Sequence, residues 1–210
     1  MTSTAYTLYA RAGAGSLAPQ ILLEEIGVPY QLVWIGRSPA ELEDFRRINP
    51  EAKIPALVLP DGTAVSESAA ILIHLTQAHP GADLAPAVGS SAHASFLQWM
   101  VFLSANVYET ALRYYYAERY ATAGSSAAAA IKAQAVTDYG RHLELIHAAL
   151  SPYVQGGKLT AVDPYLHMLA GWYPGGVTAL AARLPKLVQH AELLRRRPAT
   201  RKAEGDHAES

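Results

Sequence analysis

Two neighbouring residues, Glu67 and Ser68, are the clearest candidates for holding a charged ligand. They follow a strand-like stretch and begin a predicted helix. The first turn of a helix presents unpaired backbone N–H groups and the positive end of the helix dipole, which together favour a carboxylate. The Glu67 carboxylate could accept hydrogen bonds from an ammonium group. The pair could therefore hold a ligand with an amino-acid end, but capping and charge-matching the helix is the default role of such a pair taken alone.

Ser16 is the candidate for chemistry at sulfur. The chain contains no cysteine, so any reacting thiol must belong to the ligand. A free thiol has a pKa near ~8.5, and only its thiolate attacks electrophiles. Ser16 is predicted to cap a helix over 16–27, and a hydroxyl at such a terminus lowers the thiol pKa by donating to sulfur. Pure capping is the alternative role, and Tyr6 and Tyr9 are rival hydroxyls.

The composition excludes several classes of function. Half of the residues are hydrophobic and 17% are charged, which is typical of a folded globular protein. With 17 basic and 18 acidic residues, the net charge of −1 offers no field for nucleic acid or an anionic membrane. The eight histidines show no metal-binding pattern, so we expect no metal. Residues 1–9 lack a secretory signal pattern and no apolar run reaches ~18 residues, so a cytoplasmic location is expected.

The first 78 residues alternate between strand and helix patterns. Turn residues such as Pro60, Asp61 and Gly62 separate short apolar runs. Strands are predicted over 6–10, 29–35, 56–59 and 63–65, and helices over 16–27, 39–48 and 67–78. A strand–helix–strand unit followed by a hairpin and a helix predicts a mixed sheet with helices on its faces.

The strand patterns stop beyond residue 78. Residues 79–91 are rich in Pro, Gly, Ala and Ser and are predicted to form a linker. Helices are predicted over 92–120, 126–150, 163–173, 177–184 and 185–195. We expect Trp99, Phe102 and Trp172 in the helical core, and the polar tail after Pro198 to fray. The second half is therefore predicted to be all-helical.

Several motifs resemble those of cytosolic glutathione transferases. Residues 49–57, Asp61-Gly62 and residues 67–71 together are similar to the family's Asn-Pro, Ile-Pro-Ala-Leu, hairpin and Glu-Ser pattern. Residues 13–19 are similar to the N-terminal signature of the bacterial beta class. Residues 160–163 resemble a helix-capping motif of the family's second domain, and residues 197–199 resemble its closing motif. The resemblance covers nearly the whole chain.

The resemblance implies a fold and a set of glutathione-binding residues. It implies a thioredoxin-like domain over 1–78, a linker over 79–91 and an all-helical domain over 92–210. The Ile54–Pro55 bond would be cis, and the Ile54 backbone would pair with the cysteinyl residue of glutathione like an added strand. Glu67 would bind the γ-glutamyl ammonium and Ser68 the γ-glutamyl carboxylate. Lys53 would reach the glycyl carboxylate or the nearby backbone, and a surface lysine without a role is the alternative.

The resemblance also implies an activity. Ser16 would stabilise the glutathione thiolate, and Tyr108, Leu112 and Tyr115, spaced along one helical face with Val101 and Ala105, would line the electrophile pocket. Glutathione is thus expected as co-substrate, conjugated to small hydrophobic electrophiles in detoxification. Isomerisation, dehalogenation or peroxide reduction are variants of this activity. The alternative is a non-catalytic binding or interaction module on the same fold.

Three positions differ from the family pattern. Gly15 stands where the beta class has a cysteine, Ala52 where a glycine is usual, and Tyr108 where the beta class has a histidine. A homodimer is expected from the resemblance alone.

Overall fold

The computed structural model describes residues 5–210, so residues 1–4 of the predicted first domain lie outside the described residues. The chain divides into two compact units. The first unit runs to Ala85 and also includes Leu194–Ser210, and the second is Pro86–Leu193. The boundary after Ala85 falls within the predicted linker 79–91. The last 17 residues were predicted to belong to the second domain but group with the first.

The first unit is built on a four-stranded mixed sheet. Its strands are β1 (Tyr6–Ala10), β2 (Tyr30–Trp34), β3 (Ala56–Val58) and β4 (Ala64–Ser66), in the order β2-β1-β3-β4. β1 runs parallel to β2 and antiparallel to β3, and β3 and β4 form the hairpin. Helices α1 (Leu17–Ile26), α2 (Pro39–Phe45) and α3 (Ser68–Ala78) connect and follow the strands. The predicted thioredoxin-like fold is confirmed.

The central strand β1 carries the core of the sheet. Leu8 is fully buried and lies opposite Leu32 of β2 and Leu57 of β3. Alternate residues of β1 are buried, as expected for a strand with one face in the core. Because β1 and β2 are parallel, their carboxyl termini lie at the same end of the sheet, and the loops that lead to α1 and α2 start there.

A last helix, α9 (Pro198–Ala208), packs against α1 within the first unit. Ala203 is fully buried, and the Arg197 guanidinium donates to both carboxylate oxygens of Glu25, at 2.5 and 2.6 Å. The predicted fraying after Pro198 is therefore wrong. The sequence looked polar because only a narrow side of this helix is buried.

The second unit is helical, as predicted. It contains α4 (Ser91–Phe102), α5 (Glu109–Tyr115), α6 (Ala127–Ala149), α7 (Val162–Gly171) and most of α8 (Pro185–Arg195). The predicted helix over 92–120 is helical through Tyr115, but it is not a regular α-helix, because a π-helical segment, Leu103–Tyr108, lies between α4 and α5. Among residues 5–210, no helix has the length and apolar character that a membrane span requires.

The π-helical segment changes which side chains are buried. Phe96, Met100, Leu103 and Val107 are fully buried, whereas Val101 is 61% exposed. A π-helical turn contains an extra residue, so the faces before and after it are rotated relative to a regular helix. Trp99, Phe102 and Trp172, predicted as core residues, are only half-buried.

Candidate functional site

The backbone of Ile54 is open at the start of β3. The Ile54–Pro55 peptide bond is cis, and the β3 ladder begins only at Ala56. Within residues 5–210, neither the N–H nor the C=O of Ile54 has a backbone hydrogen-bond partner. The Ile54 side chain is buried beside Phe45 and Ala56. The result is a rigid backbone donor and acceptor that an extended peptide could pair with.

Glu67 precedes α3 in an unusual conformation. Its φ of 69° and ψ of 116° are rare for a residue with a Cβ atom. Such geometry costs about 1–3 kcal/mol and is concentrated at functional sites. The residue is exposed, and in the described part of the chain its carboxylate has no hydrogen-bond or ion-pair partner. Glu67 therefore offers a free negative charge at the start of α3.

Ser68 joins the start of α3 to the loop that precedes α1. It is 4% exposed, and its Oγ donates to the carbonyl oxygen of Gly15 at 3.2 Å. Its backbone lies in the first turn of an eleven-residue helix, where N–H groups lack helical partners. The structure thus brings Ser68 close to the Ser16 region, fifty residues earlier in the chain.

The Lys53 side chain lies at the surface. Its Nζ is 3.1 Å from Glu51 Oε2, and both side chains are 72% exposed. Asn49 fixes the backbone here by donating from Nδ2 to the Lys53 carbonyl oxygen at 2.7 Å. Exposed ion pairs are weak, so the Lys53 ammonium could exchange Glu51 for another carboxylate.

Ser16 stands at the N-cap position of α1, but its side chain does not cap the helix. Its φ of −80° and ψ of −16° are already helical, and its side chain makes no capping bond. The hydroxyl instead accepts from the Arg11 N–H at 3.2 Å and donates to the Arg11 carbonyl oxygen at 3.3 Å. Ser16 is fully buried. The prediction that the Ser16 side chain caps α1 and keeps its proton free is wrong. The loop folds back so that the hydroxyl both accepts from the Arg11 N–H and donates to the Arg11 carbonyl oxygen.

The two rival tyrosines have different environments. The Tyr6 hydroxyl lies 2.8 Å from His79 Nε2, beyond the C-terminal end of α3, and burial raises the Tyr6 pKa. Tyr9 packs 5.4 Å from the Phe45 ring, in the apolar group that contains Ile54. In residues 5–210 the Tyr9 hydroxyl has no hydrogen-bond partner. Tyr9 is therefore the stronger rival, contrary to its place within a predicted strand.

Sequence reasoning missed Arg11. Its guanidinium donates from Nε to the Ile35 carbonyl oxygen at 3.0 Å and from Nη2 to the Gly36 carbonyl oxygen at 2.7 Å. A single arginine after a strand carries no motif, so no local pattern could have indicated this bridge.

Two of the three predicted pocket residues of the second unit, Tyr108 and Tyr115, contact Trp172. The Tyr108 ring lies edge-on to the Trp172 ring at 5.2 Å, and the Tyr115 hydroxyl donates to the Trp172 carbonyl oxygen at 2.8 Å. Leu112 is half-buried between them in sequence. Tyr115 is 52% exposed, so this patch presents aromatic surface. Val101, predicted to lie on the same helical face, precedes the π-helical segment and is exposed.

Across the described residues, no group of three or more His, Cys, Asp or Glu side chains is arranged to hold a metal ion. The polar groups around Ile54 and Glu67 are instead suited to peptide-like and charged organic groups.

Comparisons with known proteins identify the family. The model of the glutathione S-transferase N-terminal domain matches residues 16–78. An uncharacterized GST-like protein of Escherichia coli, YncG, is 31% identical over 90% of this chain and 97% of its own length. A glutathione transferase homologue from Sulfitobacter, solved with bound glutathione, has a TM-score of 0.88 at 27% identity and covers 97% of this chain and 98% of its own.

A bacterial beta class glutathione S-transferase from Sphingomonas chungbukensis is also similar. Its TM-score is 0.81 at 27% identity, over 96% of this chain and 98% of its own. Together with the fold and the arrangement of Ile54, Glu67 and Ser68, these similarities confirm the resemblance seen in the sequence. The chain belongs to the glutathione S-transferase family.

Proposed function

We propose that this protein binds reduced glutathione in its first unit and conjugates it to small hydrophobic electrophiles. The thiol loses its proton to solvent, the sulfur forms a bond to the electrophilic carbon, and the leaving group departs with its electron pair. The protein contributes positioning of glutathione and stabilisation of its thiolate. Family membership and the glutathione complexes of similar proteins support this activity.

One observation carries the proposal: a strained, exposed and unpaired Glu67 stands beside an open Ile54 backbone. Glutathione has matching groups, with an α-ammonium for Glu67 and a cysteinyl amide pair for Ile54. The γ-glutamyl carboxylate would accept from the first-turn N–H groups of α3 at Ser68. The Lys53 ammonium would bind the glycyl carboxylate by leaving its exposed pair with Glu51.

The thiol would lie at the start of α1. Unpaired N–H groups and the helix dipole favour a thiolate there. Ser16 is the proposed hydroxyl donor, and it can act directly only when its proton turns away from the Arg11 carbonyl oxygen. The electrophile would bind near the surface formed by Tyr108, Leu112 and Tyr115.

The test is a titration of the bound thiol. The protein is saturated with glutathione, and the thiolate absorbance is followed against pH for wild type, Ser16→Ala and Tyr9→Phe. A depressed thiol pKa in wild type that rises toward the free value in Ser16→Ala supports the proposed chemistry. A rise only in Tyr9→Phe would transfer the role to Tyr9.

A non-catalytic glutathione-binding module is the second candidate. The burial of the Ser16 hydroxyl and its bond to the Arg11 carbonyl oxygen favour it, because that proton is already engaged. Glutathione binding with an unshifted thiol pKa and no conjugation of any electrophile would support this reading. A cytoplasmic location, a role in detoxification and a homodimer are further expectations from the family.

A further inference from the structure

The side chain of Arg11 bridges two loops of the first unit. Arg11 follows β1 directly, and its guanidinium donates to the carbonyl oxygens of Ile35 and Gly36, which connect β2 to α2. The donors of a guanidinium are coplanar and rigidly spaced, so this pair of bonds fixes both the distance and the angle between the loops.

The backbone of Arg11 closes the loop that leads into α1. Its N–H donates to Ser16 Oγ, and its carbonyl oxygen accepts from Ser16 Oγ and, at 3.1 Å, from the Ala14 N–H. One residue therefore holds the loop over 11–16 in shape through its main chain and attaches it to the β2–α2 connection through its side chain.

The carboxylate of Glu41 lies next to Gly36, one of the two residues whose carbonyl oxygens accept from Arg11. A Cβ atom at Gly36 would meet the carboxylate oxygens of Glu41, so a side chain there would displace that carboxylate. Glu41 accepts from the N–H and hydroxyl of Ser38, and these bonds, with a smaller contribution from the Arg11 charge, lower the Glu41 pKa. Glu41 is thus the charged group that faces Arg11 from α2.

The bridge touches both parts of the proposed glutathione site. Ala14 and Ile35 pack against the apolar group that contains Ile54. Gly15, in the same loop as Ala14, accepts the hydrogen bond from Ser68. A shift of the loop over 11–16 would therefore move the start of α1 relative to both Ile54 and Ser68.

We propose that Arg11 is a positioning residue for the glutathione thiol. By tying the loop over 11–16 to the β2–α2 connection, it sets where the N-terminus of α1 meets the sulfur. This inference rests on the proposed function. It assigns to Arg11 no contact with glutathione and leaves recognition of the γ-glutamyl end to Glu67 and Ser68.

The experiment compares two ligands that differ only at sulfur. The dissociation constants of glutathione and S-methylglutathione are measured by calorimetry at pH 7 for wild type, Arg11→Met and Arg11→Lys. Arg37→Met, which changes an exposed arginine of the β2–α2 connection, is the matched control. In Arg11→Met we expect a loss of about 5–10-fold for glutathione and less than about twofold for S-methylglutathione.

The thiol pKa of bound glutathione should rise in Arg11→Met and not in Arg37→Met. Arg11→Lys can replace one of the two side-chain bonds and should fall between them. If Arg11→Met fails to fold, the comparison of Arg11→Lys with wild type is the test of the proposed role. An equal loss for both ligands, or no loss for either, would overturn the role of Arg11. A wild-type protein that binds neither ligand would instead overturn the proposed function.

Discussion

The two parts of the proposed glutathione site differ in whether their polar groups already have hydrogen-bond partners. In the part that would bind the γ-glutamyl group and the cysteinyl backbone, the Glu67 carboxylate is exposed and unpaired in the described chain, and the Ile54 backbone pair is open. At the thiol end, the Ser16 hydroxyl is fully buried and exchanges two hydrogen bonds with Arg11. An open polar group has capacity left for a ligand, whereas a buried and satisfied one already serves the fold.

This difference separates binding from activation. The Glu67 carboxylate and the Ile54 backbone, which would hold glutathione, have no partner to give up among the described residues. The residue that would activate its sulfur must first give up a contact. Glutathione affinity and thiol activation should therefore respond to different substitutions, which the following predictions test in order of expected effect.

The largest effect is expected at Glu67. Glu67→Gln removes the negative charge that would bind the γ-glutamyl ammonium, and a hydrogen bond to a charged group contributes about 1.5–3 kcal/mol. Glutathione affinity should fall about 10–100-fold by calorimetry. Glu51→Gln, which alters an exposed carboxylate paired with Lys53, should change it less than about threefold. Equal losses of glutathione affinity in the two variants would contradict a specific role of Glu67 in binding.

Ser16→Ala tests the fold-serving role of the buried hydroxyl. It leaves the Arg11 N–H without its side-chain acceptor in a buried place, which costs about 1–3 kcal/mol in the free energy of unfolding. Urea denaturation measures this loss. Ser91→Ala, at an exposed serine of α4, should change stability by less than about 0.5 kcal/mol. Unchanged stability together with a raised thiol pKa would mean that Ser16 serves sulfur rather than the loop.

His207 in α9 extends the comparison to a half-buried ring with one buried nitrogen atom that lacks a hydrogen-bond partner among the described residues. In the described residues its Nε2 makes no hydrogen bond, its ring lies 5.0 Å from that of Trp34, and burial lowers its pKa to about 4. The folded state thus favours the neutral form. Stability should fall as the pH decreases from 6.5, the pKa in the unfolded chain, toward 4.

The check is urea denaturation at pH 7 and pH 5. Because the imidazole is partly exposed, solvent screens the difference to about 1 kcal/mol. His207→Phe removes the titration and should lose less stability than wild type over the same interval. The same pH dependence in both proteins would assign it to other groups.

The smallest effect is expected at Ala52. Its φ of 51° is left-handed, which explains the glycine usual at this position in the family. Ala52→Gly relieves about 1–2 kcal/mol of strain but adds about 0.4–1 kcal/mol of unfolded-state entropy. A gain of about 0.5–1 kcal/mol is expected from thermal unfolding. Ala133→Gly, within α6 and exposed, should instead lose about 0.5–1 kcal/mol.

The sequence predicts well what short motifs specify. The run through Ile54 and Pro55 and the later Glu67-Ser68 pair each define a turn or helix start from neighbouring residues. Strand and helix positions in the first unit follow from the same local patterns, with boundaries shifted by at most three residues.

The rest depends on contacts that local patterns do not encode. The Ser16 side chain could cap α1, but its hydroxyl instead makes hydrogen bonds with the Arg11 backbone, which no local pattern indicates. The π-helical segment Leu103–Tyr108 has residues that equally suit a regular helix, and only packing selects its geometry. The helicity of α9 likewise depends on α1, which precedes it by almost the whole chain.

Calorimetry on the wild-type protein with glutathione and with an analogue that lacks the α-amino group tests the central claim most directly. If the open carboxylate at the start of the third helix recognises the γ-glutamyl end, glutathione should bind at least about tenfold more tightly than the analogue. Equal affinity for the two ligands, or no binding of glutathione, would contradict the account.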